Sequence, residues 1–187
     1  MKHVFQNITN EIIILLERED LHPRALADLL KANHITIGRK LMDLRQDNIV
    51  DFRLKGKNKV FFLKRTIEGR NAAMIAEIYM HSRILSRYPV LRGIFRSIQE
   101  MPDITFSVLF GSYAKGLAKS DSDIDIFVET QDSAMKKRVE NFHSALSVKI
   151  GPFDPNSPLI REMMKDHVII KGFEMYFDKT GFLEKAQ

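Results

Sequence analysis

The sequence has 187 residues, of which 44% are hydrophobic and 28% are charged, so it is long enough to bury a core. It contains no cysteine, which excludes disulfides, thiolate zinc sites and a cysteine nucleophile. The formal net charge is +5, and all of it falls in the first 66 residues, where 13 Lys and Arg accompany 8 Asp and Glu. Nucleic acid is the commonest partner of such a concentrated positive charge, and a solvated basic surface is the alternative.

The chain shows no sign of secretion or membrane insertion. Its first residues lack an apolar stretch behind their charge, and its longest apolar runs, such as 12–16, are too short to span a bilayer. We therefore expect a cytoplasmic protein without a membrane partner.

Three helices are predicted at the start of the chain, over residues 11–18, 24–32 and 36–47. In the third, apolar residues recur at i, i+4 and i+7 and predict one buried stripe of Ile37, Leu41 and Leu44. Thr36 is the predicted N-cap of this helix. Apolar residues then recur at every second position over 50–54 and 59–64, with a turn at 55–58 between the two runs. This pattern predicts a β-hairpin.

Three helices followed by a basic hairpin resemble the winged helix-turn-helix family of DNA-binding domains. The resemblance implies double-stranded DNA as a partner, with the third helix in the major groove and the hairpin against phosphates. The basic residues that it assigns to DNA contact are Arg39, Lys40, Arg45, Arg53, Lys55, Lys57 and Lys59. The alternative is a winged helix used for contact between proteins.

Residues 67–101 are predicted to form a helical linker, which Pro89 divides before a second helix at 90–100. The apolar side chains expected on one face of its first helix are Ala72, Ile75, Ile78 and Tyr79. Such a face needs a partner, either the flanking domains or a second copy of the chain. A homodimer through the linker is therefore one prediction.

A pair of carboxylates marks the chemistry of the last third. A continuous apolar run at 104–110 predicts a buried strand, and Asp123 and Asp125 begin a second strand. Residues i and i+2 of a strand share a face, so both carboxylates project side by side. Like charges this close require a cation between them, and oxygen ligands select Mg²⁺ or Mn²⁺.

A possible phosphate site precedes the carboxylates. Gly111 follows the buried strand and lets the backbone approach a ligand closely. Ser112 adds a hydroxyl, and the N–H groups of the next turn can bind a phosphate. Lys115 and Lys119 are close enough in sequence to offset the charge of a triphosphate.

This pattern, Gly-Ser followed after ten residues by Asp-x-Asp, resembles the motif of the nucleotidyltransferase superfamily that includes DNA polymerase beta. The resemblance is strongest to the minimal nucleotidyltransferase branch of that superfamily. The motif matches at Gly111, Ser112, Gly116, Asp123 and Asp125. The resemblance implies that Asp123 and Asp125 are catalytic and hold two metal ions. It also implies a nucleoside triphosphate bound by Gly111, Ser112, Lys115 and Gly116, with its nucleoside monophosphate passing to a hydroxyl.

The family usually has a third carboxylate on the next core strand. After a predicted helix at 133–146, that position falls near Lys149, and neither Asp154 nor Glu174, in a predicted strand at 172–178, is a clear substitute. Two readings stay open: an enzyme, or a DNA-binding regulator whose nucleotidyltransferase-like domain senses a nucleotide or is inactive. An antitoxin paired with a toxin, as some small relatives are, ranks third.

The expected fold class is α+β. It comprises a winged helix-turn-helix domain at 1–66, the helical linker at 67–101, and a nucleotidyltransferase-fold domain with a mixed sheet at 102–187.

Overall fold

The computed structural model describes residues 7–184. These residues form two compact units: the first contains the described residues up to Tyr79 and those from Gly181 onward, and the second is Met80–Thr180. The three-part division at residues 66 and 101 stays a prediction. No described helix has the length and apolarity that crossing a membrane requires.

The first unit begins with three helices and a two-stranded antiparallel hairpin. Their bounds are α1 (Ile8–Arg18), α2 (Pro23–Leu30), α3 (His34–Gln46), β1 (Val50–Lys55) and β2 (Asn58–Leu63). The order and type of these elements are those predicted from the sequence.

The third helix has the predicted buried stripe but not the predicted cap. Ile37, Leu41 and Leu44 are all buried. The prediction that Thr36 caps α3 is wrong, because Asn33 Oδ1 accepts a hydrogen bond of 2.8 Å from the N–H of Ile35. An asparagine is at least as good a cap as threonine, and it starts the helix at His34.

The hairpin extends away from the core of its unit. Val50 at its base is fully buried, whereas Leu54 near its tip is 68% exposed. Gly56 turns the chain with φ +64°, in the left-handed region that glycine adopts without cost. The tip therefore carries its basic residues in solvent.

The helix α4 (Ile67–Arg87) runs through the boundary between the two units. Its predicted apolar face is divided, because Ala72 and Tyr79 are buried whereas Ile75 is 58% and Ile78 is 47% exposed. Tyr79 is held by its hydroxyl, which donates a hydrogen bond of 2.6 Å to Glu11 Oε1. A homodimer through this helix stays a prediction.

A four-stranded mixed sheet organises the second unit, in the order β5-β4-β3-β6. Strand β3 is antiparallel to β4 and to β6, and β4 is parallel to β5. The strand bounds are β3 (Ser107–Phe110), β4 (Ile124–Glu129), β5 (Leu146–Gly151) and β6 (Val168–Lys171). The predicted mixed sheet is confirmed.

The helices of the second unit connect and cover these strands. After the end of α4 they are α5 (Leu91–Glu100), α6 (Gly111–Ala114), α7 (Ser133–Glu140), α8 (Pro158–Lys165) and α9 (Phe173–Lys179). The predicted helix at 133–146 is wrong beyond Glu140, because residues 141–145 turn into β5.

Side chains from alternate positions of the strands enter two separate parts of the core. One part is aliphatic, with Leu109, Ile126 and Val148 in a cluster with residues of α5 and α7. The other is aromatic: the Phe153 ring meets Phe106 edge-on at 4.9 Å between centroids. Both faces of the sheet therefore contribute to the core, whereas Lys149 on the edge strand β5 is exposed.

The predicted strand at 172–178 is wrong. Gly172 has φ +85°, and a Cβ there would lie 2.5 Å from the carbonyl oxygen of Thr105. This glycine ends β6 and turns the chain into α9, so Glu174 lies on a helix.

Replacing each of two glycines of this unit with alanine should have opposite effects on the free energy of unfolding. Gly172→Ala should destabilise by roughly 1–3 kcal/mol, because alanine must adopt a left-handed conformation and displace a backbone carbonyl. Gly93→Ala, in α5 with open space around its Cα, should stabilise by up to about 1 kcal/mol. Chemical denaturation of both variants tests this, and equal stability of the two would contradict the described turn at Gly172.

Candidate functional site

Asp125 lies at the centre of the candidate site. It is half-buried on β4, where it pairs with Phe110 of the antiparallel β3 and with Ser147 of the parallel β5. Asp123 is exposed just before the first residue of β4. The two carboxylates therefore meet at the point where β3 ends and both β4 and β5 begin.

Gly111 makes room for the Asp125 carboxylate. It directly follows β3 with φ +70°, and a Cβ built on it would overlap Asp125 Oδ2. Any other residue would be strained in this backbone conformation and would push the carboxylate away. The glycine and the aspartate of the motif are thus in direct contact, although 13 residues lie between them in sequence.

Three neighbours act on the protonation of Asp125. Burial raises its pKa, a hydrogen bond from the Ser147 side chain lowers it, Asp123 raises it and Lys149 lowers it, with a raised pKa as the net result. The charged carboxylate is thus less stable than one in water, chiefly because it is partly buried. Ser147 is not among the site residues predicted from the sequence, because its place beside Asp125 depends on the register of β4 and β5.

Lys149 stands where a third carboxylate was expected. It lies two residues after Ser147 on β5, so both side chains share a face of the sheet, and it is exposed. Its positive charge acts on Asp125.

Asp154, a substitute considered from the sequence, and Glu129 both have partners elsewhere. Asp154 is exposed and its Oδ1 accepts a hydrogen bond of 2.9 Å from the N–H of Asn156. Glu129, farther along β4, accepts one of 2.9 Å from Lys179. Within residues 7–184, no group of three or more His, Cys, Asp or Glu side chains could hold a metal ion. Asp123 and Asp125 are the carboxylate pair available to a cation at this site.

The segment between the glycine and the carboxylates is a single helical turn and a loop. Ser112 is half-buried, and its carbonyl oxygen accepts a hydrogen bond of 2.9 Å from the N–H of Leu117. Gly116 has φ +70° and lets the chain leave the turn. Lys115 is exposed beside it. The structure therefore gathers Gly111 and Ser112 next to the carboxylates, and Lys115 and Gly116 one turn away.

A cavity lies next to that turn and involves residues that sequence analysis had placed in the linker. Arg83 and Arg87, at the end of α4, line about 210 Å³ together with Lys115 and Gly116. The available signal was a pair of arginines four residues apart, which share one face of a helix.

The basic residues proposed for DNA contact lie in the first unit in two kinds of environment. Arg45 makes a 2.9 Å ion pair with Asp51, and Arg53 makes one of 2.8 Å with Asp20. Lys55 and Lys57 are exposed at the hairpin tip. The remaining three lie on α3 and β2. On α3, Arg39 is exposed and Lys40 Nζ lies 3.9 Å from Asp43 Oδ2. On β2, Lys59 Nζ lies 4.3 Å from the Phe52 ring centroid.

Replacing Asp125 should stabilise the metal-free protein at neutral pH. Its carboxyl pKa is raised by folding, so the charged form costs stability above that pKa, and the cost disappears as the pH falls below the unfolded-state pKa. Asp125→Asn should therefore unfold at higher denaturant than wild type at pH 7, with the difference shrinking on acidification. Asp121→Asn, at an exposed position, is the control. Destabilisation by Asp125→Asn at every pH would contradict this, because it would show that the hydrogen bonds of the carboxylate stabilise the fold.

Comparison with known proteins concerns the second unit. Residues 91–171 match the family model of the nucleotidyltransferase domain. A search of curated proteins found no match. The matched range begins with α5 and ends with β6, so it contains the whole sheet together with Gly111, Asp123 and Asp125. The match supports the predicted nucleotidyltransferase domain in this part of the chain.

Proposed function

We propose that the protein binds a nucleoside triphosphate with Mg²⁺ or Mn²⁺ and transfers its nucleoside monophosphate to a hydroxyl group of an acceptor. We propose further that its first unit is a winged helix-turn-helix domain that binds double-stranded DNA. The observation that carries the enzymatic part is the contact between Gly111 and Asp125, within a range that matches the nucleotidyltransferase domain.

The donor atoms of the site fit a hard divalent cation. Asp123 and Asp125 supply carboxylate oxygens, and because burial raises the pKa of Asp125, a cation beside it would stabilise its charged form. A cation held by this pair would neutralise the triphosphate and align it with the acceptor. Ser147 keeps the Asp125 carboxylate oriented through its hydrogen bond.

The glycine-serine turn suits the phosphates of the nucleotide. Gly111 has no side chain to block close approach of a ligand, and Ser112 presents a hydroxyl and a backbone N–H at the start of α6. Lys115 supplies a positive charge from the other end of the same turn, and Gly116 allows the chain to leave it. These four residues are the nucleotide-binding part of the proposal.

In the proposed transfer, an acceptor oxygen forms a bond to the α-phosphorus and the bond from that phosphorus to pyrophosphate breaks. The proton of the acceptor hydroxyl leaves to solvent. General-base assistance is worth about 10²–10⁴-fold in rate, and Lys149 cannot supply it as an ammonium ion. We therefore expect slow turnover with readily measured nucleotide binding.

Lys149 also favours a second candidate function. A site that holds a metal and a nucleotide but lacks a base reacts slowly or not at all, and binding without reaction is the property of a sensor. In that case the protein is a DNA-binding regulator whose second unit responds to a nucleotide. The acceptor-transfer assay separates the two candidates.

The transfer assay uses the full chain with ATP, GTP, CTP and UTP, each labelled at the α-phosphate, in Mg²⁺ or Mn²⁺. We expect slow pyrophosphate release with label moving to the protein or to an added nucleic acid, and loss of both in the Asp123→Asn, Asp125→Asn double variant. Metal-dependent binding with no pyrophosphate release from any of the four would leave the sensor as the function.

Substitutions in the same assay test the role of Lys149. Lys149→Asp should raise turnover, by up to about 10²-fold, because it restores an acidic group near Asp125. Asp154→Asn and Glu174→Gln should leave turnover unchanged, since neither side chain belongs to the carboxylate pair. A loss in either of these two variants would identify the base and contradict the role given to Lys149.

DNA binding is proposed from the placement of positive charge in the first unit. Lys55 and Lys57 at the hairpin tip, with Arg53 and Lys59 behind them, would meet phosphates, which gives affinity without sequence preference. Arg39, Lys40 and Arg45 on and near α3 would face base edges and the adjoining phosphates. The ion pairs of Arg45 with Asp51 and of Arg53 with Asp20 give these two residues a structural role as well.

The DNA prediction distinguishes the exposed lysines from the paired arginines. Lys55→Ala with Lys57→Ala should weaken binding of the full chain to all duplexes alike, with no change in thermal stability. The slope of log affinity against log salt concentration should fall by the amount expected for the loss of about two phosphate contacts. Arg45→Ala should lower both affinity and stability, because it leaves Asp51 without its ion pair. The full chain is used because Asn48 donates a 3.0 Å hydrogen bond to Glu68 of α4. Salt-independent binding, or none, would exclude this partner.

A further inference from the structure

The solvent side of α3 carries two large apolar side chains. Ile35 is 60% and Met42 is 41% exposed, although the other side of the same helix packs into the core of the first unit. Neither residue is among those predicted from the sequence to contact DNA. Single exposed apolar residues are common on protein surfaces, but these two are aligned with each other.

Helical geometry places Ile35, Arg39 and Met42 in one row. With 3.6 residues per turn, residues four and then three positions apart follow one another along the same side of a helix. The buried stripe of α3 lies about half a turn away from this row, on the opposite side of the helix. All three residues of the row are exposed, so it presents apolar, cationic and again apolar side chains to solvent.

The surroundings of the row are cationic. Arg39 lies within it, and Lys40 next to it is 3.9 Å from Asp43 between Nζ and Oδ2. Lys55 and Lys57 are exposed at the tip of the hairpin in the same unit. A second copy of this surface would bring like charges together, whereas duplex DNA offers phosphates to them. The charge therefore favours DNA over self-association as the partner of the row.

The spacing and chemistry of the row match base edges. Ile35 and Met42 are seven positions apart, which is about 10 Å along a helix and about three steps between stacked base pairs. In the major groove, thymine presents a 5-methyl group that apolar side chains contact, and guanine presents O6 and N7, which arginine binds with two hydrogen bonds. An arginine between two apolar side chains thus corresponds to a guanine with a thymine on each side, on either strand.

We propose that Ile35 and Met42 recognise the 5-methyl groups of thymines in the major groove of duplex DNA, on the two sides of a guanine bound by Arg39. The proposal rests on the proposed DNA binding of the first unit and deepens it, because it names the bases that α3 selects. The apolar contacts add sequence preference without salt dependence, whereas the hairpin lysines add salt-dependent affinity without sequence preference.

The test compares thymine with uracil, which forms the same base pair but lacks the 5-methyl group. Duplexes that the full chain binds best are selected from a randomised pool, and each thymine of the selected site is then replaced by uracil in turn. Removal of one contacted methyl group should weaken binding by wild type about three- to fivefold, the loss expected from leaving one methyl group in water. The slope of log affinity against log salt concentration should stay unchanged.

Variants of the row show whether the methyl groups are contacted by these two side chains. The Ile35→Gln, Met42→Gln double variant should bind the thymine duplex more weakly and lose the difference between thymine and uracil. Glutamine keeps a long side chain and forms helices well, so the fold should be retained. Ile67→Gln is the matched control, because Ile67 is 68% exposed on α4 and lies outside the row. It should keep the full preference for thymine.

Failure of DNA binding and failure of the methyl contacts give different results. If wild type binds no duplex, both proposals are overturned. If wild type binds uracil and thymine duplexes equally, or if uracil weakens the double variant as much as wild type, the methyl contacts are overturned and DNA binding stands. A wild-type oligomer in sedimentation that the double variant loses and Ile67→Gln keeps, with an unchanged preference for thymine, would show that the row contacts protein instead.

Discussion

The contact between Gly111 and the Asp125 carboxylate is the constraint on which the rest of the site depends. It requires β3 and β4 to pair in the register that sets Phe110 opposite Asp125, and it excludes a Cβ at residue 111. The separate pairing of β4 with the parallel β5 places Ser147 beside Asp125. Because both faces of the sheet contribute to the core, polar side chains at this end of the strands can meet a ligand without disturbing that core.

In the proposed function, the electrostatics of the site favour binding over reaction. The exposed Asp123 and the half-buried Asp125 would be stabilised by a cation, and the turn from Gly111 to Gly116 would take the phosphates next to it. Lys149 places a positive charge where the proposed reaction would use an acidic residue to assist removal of the acceptor proton. Slow turnover with readily measured nucleotide binding is therefore the expectation of the proposal.

Local patterns in the sequence predicted most of the helices and strands. The errors fall where contacts between residues distant in sequence decide the local structure. The stripe of Ile37, Leu41 and Leu44 follows from helical periodicity alone and is confirmed. The strand expected at 172–178 is wrong because Gly172 must turn against Thr105, which is distant in sequence. The motif predicted the neighbourhood of Gly111 and Asp125, whereas the place of Ser147 depends on the register between β4 and β5, which no local pattern contains.

Calorimetric titration of ATP into the full chain, with and without Mg²⁺, shows whether Asp123 and Asp125 hold the metal when wild type is compared with the Asp123→Asn, Asp125→Asn double variant. We expect a Mg²⁺-dependent gain in nucleotide affinity for wild type and none for the double variant, whose fold should be intact because close carboxylates repel one another without a cation. An equal Mg²⁺-dependent gain in the double variant would show that the metal and nucleotide bind elsewhere.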